Sequence, residues 1–473
     1  MIRIFKHYIS RWSLLLFTME SAGFLSAVYA GVSIRFLEQT HPDELHSEVL
    51  LPRALFFAAV MVISMTATGR YQRLMDDGLS GELLNVALSF LIGLVAMSML
   101  FYVFPDLFIG RGAFGFSLLF AYGIVVTVRW LFARFILDRN LLRRRVLVLG
   151  TGEGARLIDD WLKKEHPDIT LVGYWPVNHV PRLVPEAAIL EAGATTTLPG
   201  LVEAQSVNEI VVTVEGEMDE NTASRLLDCR VLGTRILDLT SFFEQEQRII
   251  HMDTLSPRWW VLQSEGLTQG TLRAVSKRVF DLLLSLVLLV TLWPVMLAAA
   301  LAIWVEGRGR EPVFYRQERV GFGGKVFHVF KFRSMRTDAE QDGTPRWAQQ
   351  QDSRVTRVGR FIRYNRIDEL PQFLNVFNGE MSLVGPRPER PEFVAILEQR
   401  IPYFRERLRV KPGITGWAQI RYGYGASEED AVEKLKYDLY YVKNHNFFLD
   451  LLVLIHSVEV VLFGQRVSGP RVR

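Results

Sequence analysis

A single cysteine, Cys229, occurs in 473 residues, which excludes an intramolecular disulfide and any cluster of thiolate metal ligands. A reducing, cytoplasmic setting suits the soluble parts of such a chain. Charge of one sign is also scarce overall, with a net of only +3. Residues 308–366 nevertheless hold 14 Lys/Arg against 6 Asp/Glu, so positive charge is concentrated where the rest of the chain is balanced. Phosphates or anionic lipid headgroups are natural partners for that segment, and a solvated basic face is the plain alternative. Hydrophobic residues make up 49% of the chain, more than a soluble globular protein usually needs, so part of it is expected in lipid.

Four apolar stretches come first, at residues 14–34, 54–68, 83–104 and 114–137, most of them near the roughly 20 residues that span a bilayer. The first is too long for a signal-peptide core and contains Glu20, so it reads as an anchor whose acid pairs with another helix or faces a polar seam. Arg3, Lys6 and Arg11 precede it, an acidic loop (38–48) follows it, and Arg70, Arg73, Arg139 and 143–145 alternate with lone Arg111. With a cytoplasmic amino terminus this satisfies the positive-inside rule. A four-helix transmembrane domain is expected over residues 1–140.

The chain then changes character. Residues 143–164 read as a buried strand at 146–149, a glycine turn and an amphipathic helix; further strands are expected at 169–173, 209–214 and 235–239. The alternation predicts a Rossmann-like parallel α/β domain over residues 144–250. Gly150-x-Gly152-x-x-Ala155 has the form of a dinucleotide fingerprint, but no acid follows the second strand to hold a ribose. A structural or regulatory domain without nucleotide is the favoured reading. A connecting segment (251–275) leads to a fifth apolar run, 282–305, which lacks any charge and is interrupted by Pro294. As a helix it is about 36 Å long, enough to cross a bilayer. The proline and the basic residues on both flanks (Arg273, Lys277, Arg278; Arg308, Arg310, Arg316, Arg319) favour instead a re-entrant helix at 279–305, returning to the face it entered from.

Beyond that run, strand-like alternation in VFHVFKFRSM puts Lys331 and Arg333 on one face, where they could share a phosphate or simply border a polar groove. Pro371 is tolerated only in a first helical turn, so a helix through 373–377 should begin near Asp368. Asp368 and Glu369 are then either an ordinary helix cap or the acid pair of a phosphate site. Arg360, Arg363 and Arg366 lead into the pair, and carboxylates with Mg²⁺ and arginine recur wherever phosphoryl groups move. Arg387, between Pro386 and Pro388, suits a bidentate phosphate contact, and 411–419 (Lys411, Gly413, Gly416, Trp417, Gln419) could form a loop against a base or sugar or a structural turn.

These motifs carry a resemblance. From about Ser276 to Arg466 the chain resembles the catalytic domain of the bacterial polyprenyl-phosphate sugar phosphotransferases, the monotopic phosphoglycosyl transferases. The marks are the Pro-broken helix, KFRSM, DELPQ, NGEMSLVGPRP and KPGITGWAQ, in that order. The helices and α/β domain before it are similar to the large form of that family, which starts exopolysaccharide and O-antigen units. The fold implied is a membrane protein of mixed α and α/β class, its catalytic domain at 276–473. The resemblance implies transfer of a hexose-1-phosphate from a UDP-sugar to undecaprenyl phosphate with release of UMP, at the bacterial inner membrane facing the cytoplasm, with Mg²⁺ and with no nucleic acid involved. It implies Asp368 as nucleophile, Glu369 as its partner in metal binding or activation, and phosphate contacts from Lys331, Arg333, Arg366 and Arg387. Lys411, Gly416, Trp417 and Gln419 would serve the nucleotide or sugar end, and a homodimer is a possible assembly. Where the family commonly bends its helix with Ser-Pro, this chain has Trp293-Pro294. A membrane nucleotide-sugar dehydratase would need NAD and a Tyr-x-x-x-Lys pair, which 144–246 lacks, and a polysaccharide-assembly scaffold would give no reason for DELPQ beside GPRP.

Overall fold

The structure, a computed structural model, describes residues 2–4, 7–9, 11–35, 47–68, 78–132, 134, 143–163, 169–177, 181–190, 197–214, 218–255, 257–263, 271–338, 354–422 and 427–463. The loop at 38–48, apart from its last two residues, and Arg70, Arg73 and Arg139 lie outside this set, as does the chain beyond 463. One compact unit comprises residues 1–130 and 259–473, and a second comprises 131–258.

The first unit opens with a short hairpin, β1 (Ile2–Ile4) and β2 (His7–Ile9), and four long helices, α1 (Arg11–Arg35), α2 (Ser47–Ala67), α3 (Gly78–Val103) and α4 (Arg111–Phe132). Each contains a segment long and apolar enough to cross a membrane. Lipid gives helices no hydrophobic reason to associate, so small residues and polar pairs carry the contact. Gly23, Ala27 and Gly31 recur every fourth residue of α1. A Cβ at Gly31 would lie 2.4 Å from the Ser117 hydroxyl, and one at Gly23 would lie 2.6 Å from the Ile124 side chain, both on α4. Glu20 is fully buried and accepts from Arg129 of α4 at 2.6 and 3.2 Å, so the acid is paired with another helix. Thr68 and Ser89 join α2 to α3 through their hydroxyls at 2.6 Å.

The second unit is a four-stranded parallel sheet in the order β4-β3-β5-β6: β3 (Arg144–Leu149), β4 (Ile169–Trp175), β5 (Glu209–Val212) and β6 (Arg235–Asp238). Helices α5 (Glu153–Leu162), α6 (Leu198–Ala204), α7 (Glu220–Val231) and α8 (Leu239–Gln247) complete it. Strand β4 runs two residues further than the sequence suggests, because Tyr174 and Trp175 are themselves buried in its packing. At the glycine turn, Gly150 has φ +118° and a Cβ there would meet the Thr213 hydroxyl at 2.5 Å. Segment 181–183 is tied to the same turn, with the Thr151 hydroxyl donating to Pro181 and the Leu183 N–H to Thr151. Glu153 in the first turn of α5 adds negative charge where a pyrophosphate would approach. The glycine turn packs closely against Thr213 and the 181–183 segment.

After α9 (Pro257–Gln263) the first unit resumes with α10 (Thr271–Glu306), a 36-residue helix containing Pro294. Then follow the antiparallel hairpin β7 (Phe314–Val320) and β8 (Val326–Phe332), α11 (Arg357–Tyr364), α12 (Phe373–Asn378), β9 (Ser382–Val384) and α13 (Pro391–Arg400). Last come β10 (Gly413–Thr415), α14 (Trp417–Arg421), α15 (Glu428–Asn444) and α16 (Phe447–Phe463). A straight helix of 36 residues is about 54 Å long, yet both ends of α10 touch neighbouring elements of one layer. Near its start Arg278 donates to the carbonyls of Val376 and Phe377, capping α12, and Asp281 accepts the Leu383 N–H of β9. At its end Glu306 accepts the Val358 N–H of α11, while Ala299 and Ile303 pack on Phe332 and Ile362. Between these anchors Leu286, Val290, Trp293 and Leu297 are exposed. Proline removes a helix hydrogen bond, and the Thr291 hydroxyl bonds back to Val287 (2.8 Å) and Leu288 (3.2 Å), a contact that bends helices. Thr291 lies three residues before Pro294. Helix α16 buries Asp450 and His456, and Asp450 meets Lys277 of α10 at 3.0 Å.

Candidate active site

Asp368 and Glu369 lie in a 3-10 turn, Ile367–Gln372, which continues into α12. Pro371 has no N–H to donate, so this stretch takes the tighter winding before α12 begins at Phe373. The cap position belongs to Arg366, in the left-handed region at φ 58°, and no side chain caps the turn. Asp368 is thus not a helix cap, and the plain structural alternative for it falls away. A non-glycine residue held at positive φ stores strain of order 1–3 kcal/mol and is characteristic of functional sites.

Both acids are buried, each 8% exposed, but their surroundings differ. Glu369 faces Arg387 at 2.6 Å, Lys331 at 3.5 Å and Arg366 at 3.8 Å. Burial alone would raise its pKa, but Arg387, Lys331 and Arg366 reverse that and hold it well below the carboxylate range. Asp368 makes no hydrogen bond or ion pair among the described residues. Burial, followed by the charge of Glu369, pushes it up to about 6 against the pull of Lys331, Arg363 and Arg387. Lys331 is pushed down to about 8 by burial, with Glu369 opposing. Two adjacent carboxylates have been given unlike jobs: one neutralised by cations, the other buried with its oxygens uncommitted.

Lys331 reaches the site because β8 alternates, Phe327 and Val329 facing inward on the same side of the strand. Its strand is pinned by Asn375 of α12, fully buried, which accepts the Phe330 N–H at 3.0 Å and donates to the His328 carbonyl at 2.7 Å. Asn375 was not singled out from sequence; a polar residue inside the apolar FLNVF run was its only signal. Arg333, expected to share a phosphate with Lys331, lies just past the strand end and pairs with Glu311 at 2.7 Å beside the turn that closes α10. The two cations therefore engage different carboxylates.

The 411–419 segment packs closely against the turn that follows β9. Strands β9 and β10 run parallel, and a Cβ at Gly413 would lie 2.1 Å from the Gly385 nitrogen, one at Gly416 2.2 Å from the Gly385 oxygen. Only glycine permits that approach. Trp417, for which the resemblance implies a place at the nucleotide or sugar end, is 1% exposed and packs on Tyr440, with the Arg421 guanidinium 4.6 Å over its ring. It is sequestered in the core. Gln419 donates to the Ile414 carbonyl within the segment, and Lys411 sits by Arg278 and Gly379, with Arg278, Asp281 and Lys277 as its charged neighbours.

The donor chemistry also bears on Mg²⁺. Among the described residues no group of three His, Cys, Asp or Glu side chains could hold a metal ion. An uncommitted Asp368 beside Glu369 still fits the way Mg²⁺ is usually bound, by one or two carboxylates together with waters and substrate phosphates.

The sequence of a family described as bacterial sugar transferase matches residues 272–464, which spans the whole of this layer and its helix α10. Over 148 residues the chain is 48% identical to a putative undecaprenyl-phosphate N-acetylgalactosaminyl 1-phosphate transferase of Bacillus subtilis (strain 168), covering 81% of that protein and 31% of this chain. It belongs to the bacterial sugar transferase family. Two longer members are also similar. A UDP-N-acetylgalactosamine-undecaprenyl-phosphate N-acetylgalactosaminephosphotransferase of Aeromonas hydrophila is 44% identical over 202 residues, 43% of this chain and 47% of that one. A UDP-glucose:undecaprenyl-phosphate glucose-1-phosphate transferase of Xanthomonas campestris pv. campestris is 39% identical over 209 residues, 44% of this chain and 43% of that one. The matched stretch thus spans less than half the length of these two relatives.

Proposed function

We propose that the protein transfers a hexose-1-phosphate from a UDP-sugar to undecaprenyl phosphate, releasing UMP, as the first step in assembling an exopolysaccharide or O-antigen unit. The observation that carries this reading is the division between Asp368 and Glu369, one free and one saturated with cations. The names of the relatives support the substrate class.

In this mechanism a carboxylate oxygen of Asp368 attacks the sugar-bearing phosphorus of the UDP-sugar. The new O–P bond forms as the bond to the bridging oxygen breaks, and UMP departs with the electron pair. A phosphate oxygen of undecaprenyl phosphate then attacks the same phosphorus, the diphosphate bond forms, and the Asp368 carboxylate is returned. No proton has to move. Splitting the reaction lets one set of cations serve two displacements between anions that would otherwise repel each other. Lys331, Arg366 and Arg387 stand around Glu369 to neutralise phosphate oxygens, and Glu369 keeps those cations in place between turnovers. Mg²⁺, held by Asp368 and Glu369, would add charge neutralisation at the phosphates. Membranes containing the protein, given radiolabelled UDP-sugar and polyprenyl phosphate, should release UMP and place label in lipid; no label in lipid with any of a panel of UDP-sugars would overturn the assignment.

The same reading places the site at the cytoplasmic face of the inner membrane, with α10 dipping into the bilayer and returning. Its support is the anchoring of both helix ends to α11, α12 and β9, with Pro294 and Thr291 between them. A cysteine introduced as Arg310→Cys should react with a membrane-impermeant maleimide from the cytoplasmic side alone. Reaction from the periplasmic side would mean that α10 crosses.

A further inference from the structure

The segment from Gly385 to Glu389 carries Arg387, and its two prolines leave it few N–H groups with which to hold itself. Its carbonyls are held from outside instead, by β10, by β7 and by the turn that carries Arg407. The Pro386 carbonyl accepts the Gly413 N–H at 3.0 Å, and the Glu389 carbonyl accepts the Val320 N–H at 2.9 Å. Between them, the Arg387 carbonyl accepts from Arg407 Nη2 at 2.8 Å, and the Pro388 carbonyl from Arg319 Nη1 at 3.0 Å. Two guanidiniums therefore grip consecutive peptide carbonyls on either side of the Arg387–Pro388 bond.

Each guanidinium is itself fixed. Arg407, in the 3-10 turn Phe404–Arg409, is 7% exposed, pairs with Asp438 of α15 at 2.8 Å and lies 5.1 Å over the Phe404 ring. Asp438 is 2% exposed. Arg319, on β7, donates to Gln317 at 2.6 Å and pairs with Glu389 at 3.7 Å. Burying Arg407 and partly burying Arg319 costs several kcal/mol of desolvation, and each commits a charge-assisted bond to a neutral carbonyl. Burial here purchases geometry at one loop.

We propose that Arg319 and Arg407 are positioning residues for Arg387: by clamping the Arg387 and Pro388 carbonyls they set where the Arg387 guanidinium meets Glu369 and the transferred phosphate. This rests on the reading of the site given above. Among the described residues neither clamp side chain makes a hydrogen bond or ion pair with Asp368 or Glu369, so the contacts through which they act on the site are those to the Arg387 segment.

A double-mutant cycle tests it, using the full-length protein in membranes. Arg407→Gln and Arg319→Gln are each expected to lower kcat/KM about 10-fold in an otherwise native chain, but less than about 2-fold when Arg387 is already Met. Arg407→Lys should recover part of the loss. Should removal of the Arg407 charge prevent folding by stranding Asp438, the Arg319 cycle and the Arg407→Gln/Asp438→Asn double variant carry the same comparison. Losses that add independently of Arg387, or single variants with native kinetics, would overturn the clamp. Asp368→Asn in the same assay separates the two ideas: an active Asp368→Asn protein removes the underlying mechanism, whereas an inert one with additive clamp losses removes the clamp alone.

Discussion

Asp368→Asn is expected to reduce turnover by roughly 10³-fold or more while leaving the fold in place. The substitution keeps the shape of the side chain and removes only the nucleophilic oxygen's charge. Asp368 makes no hydrogen bond or ion pair among the described residues, so the amide leaves no partner stranded. Wild-type protein quenched after mixing with radiolabelled UDP-sugar should carry label that hydroxylamine releases, as an acyl phosphate would. Asp368→Asn should carry none. Glu369→Gln makes the informative contrast. It leaves Arg387, Lys331 and Arg366 without their shared counter-charge, so it should impair both activity and stability. Retention of more than a tenth of native turnover by Asp368→Asn would end the covalent mechanism.

Arg387→Met should lower kcat/KM by about 10²- to 10³-fold, the scale on which one preorganised donor to a developing charge is usually worth 2.7–4 kcal/mol. Its pH dependence is more diagnostic. The native profile should rise through about pH 6 as Asp368 ionises and fall through about pH 8 as Lys331 loses its proton. Arg387 lowers the pKa of Asp368 and of Lys331, since a nearby cation favours the anion of one and disfavours the cation of the other. Removing that charge raises both, so the whole bell should move to higher pH. Steady-state rates from pH 5 to 9 measure this, and a bell that stays in place or moves down would show that Arg387 is electrostatically remote from the pair.

Much of the framework was readable because it depends on local pattern. Hydrophobic runs near 20 residues became α1 to α4, and strand and helix periodicity in residues 144–250 became the parallel sheet with small differences at strand ends. The acid pair, too, was legible, since Pro371 limits where its helix can start. Its status as cap or site was not. That depended on Arg366 taking the left-handed cap position, a conformation that no propensity would assign to arginine. Lys411 and Trp417 show how a motif leaves two readings open, a loop against a base or sugar and a structural turn. Both stand in a motif of the right composition, yet Lys411 keeps company with Arg278 and Trp417 packs on Tyr440. Composition reports what a loop could touch, whereas burial reports what it does touch.

By itself, the sequence determined that this chain has membrane-type helices, an α/β unit and a basic segment around Asp368-Glu369, because each of these is encoded in residues close together. Only the tertiary structure decided which acid is committed. Glu369 draws its ion pairs from β8, from the turn before it and from the segment after β9, while Asp368 beside it makes none among the described residues. The pairing of Glu20 with Arg129, 109 residues away, was settled in the same way. Electrostatic interactions act through space and fall off with distance, so the roles of charged residues follow from where folding sets them.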